Sequence, residues 1–171
     1  MKKEPRKASR EVDLDDILTS AFQYEGDSIL DPLIRGHLTC EALVSEVLVK
    51  FYEPSKVWRM SFPDKVKKCQ AREIINEHTG MALNILNDIR NDAAHIFGKS
   101  FTAQDMHDLA RRLELAGIEF SDSMGLQSFE YANSNYGGAE GILAECLWCL
   151  GFQVAYEINE SGHGDIFSVQ L

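Results

Sequence analysis

The sequence predicts a mainly α protein: an antiparallel helical bundle with a C-terminal helix plus β-hairpin appendage. Three observations predict it. Between about residue 28 and residue 117, apolar side chains recur at three- and four-residue steps, the period of one helix face. Proline, glycine and capping residues punctuate these runs at short intervals, as antiparallel helices joined by short loops require. From Ile118 onward the character changes, with a polar stretch, a short apolar helix and two strand-like runs. The division that follows is a basic tail without structure over 1–11, the bundle over 12–117 and the appendage over 118–171.

The elements are justified in turn. "LDDILTSAFQYE" (14–25) reads as a helix. In "DPLIRGHLTCEALVSEVLVKFYE", Asp31 is placed to cap and Pro32 to take the first helical position; Leu33, Leu38, Val44, Val47, Leu48 and Phe51 contribute to a broad apolar face. "EPSKVWRM" (53–60) reads as a loop, and "SFPDKVKKCQAREIINEH" as a helix with Pro63 in its first turn. Ala82, Ile85, Leu86, Ile89, Ala93 and Ile96 then form one helical stripe, broken at Gly98. Thr102 with Asp105 resembles a capping box, opening a helix that turns Met106, Leu109 and Leu113 inward and ends at Gly117. "SDSMGLQSFEYANSNYGG" reads as irregular, followed by a helix over about 139–150 that ends at Gly151. "FQVAYEI" and "DIFSVQL", joined by "NESGHG", read as a β-hairpin, which must pack on the bundle or on a partner chain because a lone hairpin is marginal in water.

Composition narrows the function. With 171 residues, 44% of them hydrophobic, the chain can bury a core without disulfide staples. No apolar run approaches the ~20 residues of a membrane span, and no apolar segment follows the basic N-terminal residues, so neither a membrane partner nor a secretory signal is expected and the cytoplasm is the default. Net charge is −10, yet the first ten residues hold five basic residues and one acidic one. A basic tail on an acidic body argues against broad electrostatic capture of nucleic acid, so any RNA contact must be local. Cys40, Cys69, Cys146 and Cys149 sit among apolar neighbours. "CLWC" has C-x-x-C spacing, but it lies inside a helical pattern and has no matching second pair; it reads as core packing. No clustered carboxylate or histidine set for a metal stands out, and no cofactor is expected. "YGGAEG" lacks the lysine and spacing of a phosphate loop and reads as a loop and helix start.

The stretch "NILNDIRNDAAHIFG" carries the chemistry. Besides its apolar stripe it has a polar face of Asn84, Asn87 or Asp88, Asn91 and His95, with Arg90 alongside. At "RNDAAH" the sequence resembles the HEPN superfamily, whose ribonuclease members carry an Arg, a polar residue directly after it, and a His four to six positions beyond the Arg. "RGHLTCEALVSEVLVKFY" resembles the helix with "GHL" and a Glu found in small bacterial members, and "SFPDKVKKCQAREI" resembles the "SFxxK" helix that often precedes the motif. The likeness spans about residues 28–115 and leaves the C-terminal region unmatched.

The resemblance implies a metal-independent endoribonuclease acting as a homodimer, with Arg90, Asn91 and His95 as catalytic residues, of a kind often found as a toxin or phage-defence effector and sometimes catalytically silent. An antitoxin or regulatory protein is a further partner it would suggest. The chemistry suits these residue types. RNA is cleaved by its own 2′-OH once that proton is removed and the leaving 5′-oxygen is protonated. A histidine titrates near neutrality and can do both, while an arginine holds the phosphate as charge builds. Five helical residues span ~140° of rotation beyond a full turn, so Arg90 and His95 converge only if the helix loosens or if two chains meet about a twofold axis. Asn91 would orient a histidine or touch the RNA backbone, and Asp92 should point away. His37 and Glu41, at i and i+4, could line the same cleft; otherwise His37 is a partly buried bundle residue and Glu41 a surface or helix-pairing acid. His78 and His107 read as surface residues. The rival reading is a non-catalytic HEPN-like interaction or regulatory module. A weaker one is transcriptional regulation, since mannitol-repressor-like proteins resemble the bundle, but no helix-turn-helix with a basic recognition face is visible.

Overall fold

The computed structural model describes residues 29–95 and 100–167, the side chains of His95 and Phe167 excepted. The expected tail over 1–11, the helix over 14–25 and the last residues of "DIFSVQL" lie outside the described residues. Helices follow one another as α1 (Leu30–Leu48), α2 (Pro54–Val57), α3 (Phe62–Gln70), α4 (Glu77–His95), α5 (Ala103–Leu115), α6 (Phe129–Tyr136) and α7 (Ala139–Ile158). A π-helical turn (Asn159–His163) and a 3-10 turn (Gly164–Phe167) close the described chain. No strand occurs among the described residues.

The helix starts follow local chemistry. Ser61 caps α3 by accepting from Asp64 N–H at 3.3 Å, with a proline in the first turn. Thr102 and Asp105 form the expected capping box at α5. Helix α1 instead begins at Leu30, with Ile29 at its cap position and Asp31 in its first turn, so Asp31 is not the side-chain cap the sequence suggested. The 53–60 segment holds the single turn α2 rather than loop alone.

Helix α7 packs against α1 and α5, and α4 packs against α1, α3, α5 and α7. The interior is one continuous apolar cluster. Leu33, Val44 and Leu48 from α1, Leu83 and Leu86 from α4, Met106 and Leu109 from α5, and Leu143, Leu150 and Val154 from α7 are buried in it. Each such aliphatic side chain withdrawn from water contributes about 1.5–3 kcal/mol of hydrophobic free energy.

The β-hairpin is not formed. "FQVAYEI" belongs to α7, which runs through Gly151 to Ile158. The alternation that suggested a strand is two helical stripes read together. Val154 and Ile158 are buried at i, i+4 in line with Leu150, whereas Phe152 and Tyr156 are exposed at i, i+4 in line with Trp148. By length and composition α7 meets the bar for crossing a membrane, but Ile142, Leu143, Cys146, Leu150, Val154 and Ile158 fill the core of the bundle. The polar stretch before it hides α6, capped by Ser128 and closed by Gly137 at φ 74°. That helix covers His107, which is buried with its ring 6.0 Å from that of Phe129, not on the surface as expected.

The placement of α4 depends on a polar tie at its start. Glu157 of α7 accepts from the Asn76 backbone N–H at 2.8 Å, from Asn76 Nδ2 at 2.6 Å and from Thr79 Oγ1 at 2.7 Å. A carboxylate at a helix N-terminus satisfies donors that have no intrahelical partner and suits the local dipole.

Candidate functional site

The polar face of α4 resolves onto Asn87, which is buried, while Asp88 is exposed. Arg90 and Asn91, three and four residues further on, are half-buried on the same side of the helix. Arg90 Nη1 donates to Asn91 Oδ1 at 3.2 Å, so the amide holds the guanidinium from the adjacent position. His95 is the last residue of α4, which stays α-helical up to it; its side chain lies outside the described residues. Asp92 is exposed and lines a small pocket of about 150 Å³ with Phe101, Met106 and Arg112, on the α5 side of the helix.

Opposite Asn87, α1 presents His37 and Glu41. His37 Nε2 lies 3.2 Å from Asn87 Oδ1. With a carbonyl oxygen facing it, Nε2 carries the ring proton, an assignment made from the hydrogen-bond partner. Nδ1 is then a bare acceptor, buried and without a hydrogen bond among the described residues. The Phe62 ring closes over the imidazole at 4.5 Å between centroids. Burial pulls the His37 pKa below its usual 6.5, and the Arg90 and Lys65 charges push the same way. The Asn87 hydrogen bond and the Glu41 charge oppose them in part. The imidazole is therefore held neutral at pH 7.

The third side of the site comes from α3. Lys65 is almost fully buried and donates to Glu41 Oε1 at 2.6 Å. Its ammonium also sits 5.8 Å from the centre of the Trp58 ring, which is itself exposed. A charge so removed from water persists only when paired, and the Glu41 carboxylate supplies the pair.

The contacts form three pairs, His37–Asn87, Glu41–Lys65 and Arg90–Asn91, drawn from three helices, and the charges of Glu41, Arg90 and Lys65 all act on the His37 ring. Of the residues singled out from sequence, Arg90, Asn91, His37 and Glu41 belong to this cluster; His78 is an exposed residue away from it. The sequence by itself assigns no role to Lys65 or Trp58. Lys65 did carry a signal, because Phe62, Lys65, Val66 and Cys69 occupy one helical stripe, and a lysine within an apolar stripe needs a buried partner. The cysteines take no part. Burial pushes the Cys40 and Cys69 thiols up to about 12, and burial together with Glu145 does the same for Cys149. Cys146 is also shifted up by burial, and it lies in the interior of α7. A protonated thiol is a poor nucleophile.

No family model matches the chain, and neither does any curated protein or solved structure.

Proposed function

We propose that the chain is a metal-independent endoribonuclease of HEPN type that works as a homodimer with a composite Arg/His site. One observation carries this reading. The "GHL"-plus-Glu segment, the "SFxxK" segment and the "RNxxAH" segment, separate in sequence, supply the members of one polar cluster: His37 and Glu41, Lys65, and Arg90 with Asn91. In this reading Arg90 binds the scissile phosphate and stabilises the charge that grows on it. His95 removes the 2′-OH proton as the 2′-oxygen–phosphorus bond forms, and a second His95 protonates the 5′-oxygen as its bond to phosphorus breaks. Asn91 positions the guanidinium. The buried pairs His37–Asn87 and Lys65–Glu41 hold the three helices in register behind it.

Helix geometry supports a pair of chains. Because α4 remains helical to His95, positions 90 and 95 lie ~140° apart around its axis. A twofold-related α4 can supply a histidine from the partner chain.

The test is RNA cleavage in EDTA by the wild-type chain and by His95→Ala and Arg90→Ala. Each substitution should lower the rate by about 10²–10⁴-fold, the range for loss of an acid–base group, with fold and mass in solution unchanged. Wild-type cleavage that persists in His95→Ala would refute the assignment. A second reading, an interaction module without catalysis, is favoured by the exposed Trp148, Phe152 and Tyr156 on α7, an aromatic row of a kind enriched at protein interfaces. Stoichiometric capture of one protein partner, with no cleavage of any RNA, would decide for it.

A further inference from the structure

Residues 50–72 contain seven basic and two acidic residues, a balance of +5 in a chain whose total is −10; Lys50 and Lys65 are ion-paired with Asp165 and Glu41 outside the segment, which leaves the surface at +3. They form α2, α3 and the turns around them, and their cations and aromatic rings alternate in space. The Arg72 guanidinium lies 4.2 Å from the centre of the Phe51 ring and 4.9 Å from that of Tyr52, and donates to the Tyr52 hydroxyl at 3.3 Å. Lys68 Nζ lies 5.3 Å from the Tyr52 ring. One helical turn back along α3, Lys65 lies beneath Trp58, whose side chain is 57% exposed. The row thus runs from Phe51 to Trp58 and ends at the Lys65–Glu41 pair, a member of the cluster that contains Arg90.

We propose that this surface binds single-stranded RNA and leads it toward the Arg90 cluster, an inference that rests on the ribonuclease reading. Phosphates are drawn to the one strongly positive segment among the described residues, while the acidic remainder repels them; the charge complementarity is local and directional. An exposed indole offers a flat face for an unstacked base, and base–aromatic stacking is tolerant of sequence. A duplex keeps its bases stacked inside and cannot use that face, which is why the occupant is single-stranded.

The experiment is fluorescence anisotropy with the full-length chain carrying Arg90→Ala, so that cleavage cannot consume the probe. The probe is a fluorescein-labelled 15-nucleotide single-stranded RNA of mixed sequence, with its duplex as comparison, at 50 and 200 mM salt. Single-stranded RNA should bind, and the duplex should bind more weakly. Trp58→Ala should weaken binding about 5- to 150-fold, the range for loss of one stacked base. The double variant Lys68→Glu/Arg72→Glu should weaken it at least 10-fold and flatten its salt dependence. All three side chains lie at the surface or half-buried, and circular dichroism of each variant checks that it folds. Binding that is undetectable, equal for duplex and single strand, or unmoved in both variants overturns the proposal. Failure of the ribonuclease reading is seen separately, as binding of this kind by a wild-type chain that cuts no RNA.

Discussion

Lys65 holds an ammonium group almost out of water, and the asymmetry of its ion pair sets the energetics of the site. Its side chain is 3% exposed, whereas that of Glu41 is 27% exposed. Removing the carboxylate therefore strands a buried cation, while removing the cation leaves an acid that water still reaches. Glu41→Gln should cost about 2–3 kcal/mol, toward the lower end for breaking a buried pair because Glu41 is partly solvated. Lys65→Met should cost about 1 kcal/mol or less, and the double variant should recover most of the Glu41→Gln loss, since without the ammonium no buried charge is left unpaired. Urea unfolding midpoints of the four proteins, read as a double-mutant cycle, check this. Equal losses in both single variants would show that the pair is no more than a surface contact. This residue also marks the limit of what the sequence made legible. Arg90, Asn91 and His95 were recognisable because they lie on one helix at fixed spacing, and His37 because it shares a face with Glu41. Lys65 needed the knowledge that α3 turns its Phe62–Val66–Cys69 stripe onto α1 and α4, a tertiary fact that periodicity within one helix does not contain.

Helix α7 and the turn that launches it show the same division one level up. The polar run before it concealed α6 because its signals were short: a serine cap, eight helical residues and a glycine pair. Missing α6 in turn misplaced His107, whose ring lies 6.0 Å from that of Phe129 in that helix. In α7 the sequence favoured a stop at Gly151, yet glycine stops a helix only where its backbone leaves the helical region. Gly151 stays within α7, and a Cβ there would meet nothing within 4 Å. Gly138 and Gly141 differ. The first holds φ 90° and ψ −157°, a conformation open essentially to glycine alone. At the second, an added Cβ would sit 1.6 Å from the Tyr136 carbonyl oxygen. The "YGGAEG" glycines are thus a steric requirement of the α6–α7 junction. Gly151→Ala should stabilise the protein by about 0.5–1 kcal/mol, the helix preference of alanine over glycine, and raise Tm by about 1–4 °C. Gly141→Ala should destabilise by about 2–3 kcal/mol through overpacking. Differential scanning calorimetry of the two variants separates the continuous helix from a helix that ends at 151, for which Gly151→Ala would lower Tm.

At the scale of the molecule, three features point one way. The described positive charge gathers on one segment, the buried polar cluster joins that segment to Arg90, and α4 carries His95 at its far end without a break in the helix. If the active unit is a pair of chains sharing one phosphate, inactive subunits should rescue one another. Arg90→Ala and His95→Ala homodimers would each lack one residue type completely. Mixing them under conditions of subunit exchange produces a heterodimer that retains one arginine and one histidine. Statistical pairing makes half of all dimers of this kind; with one histidine in place of two, water must take over the acid or the base role, so RNA cleavage should rise on mixing above that of either homodimer, stay well below the wild-type rate, and follow the heterodimer peak when differently tagged chains are separated. If Arg90 and His95 of the same chain acted together, each half of the heterodimer would still lack one of them, and mixing would restore nothing. The expected result is recovery, because positions 90 and 95 lie ~140° apart around the axis of a helix that is regular from Glu77 to His95.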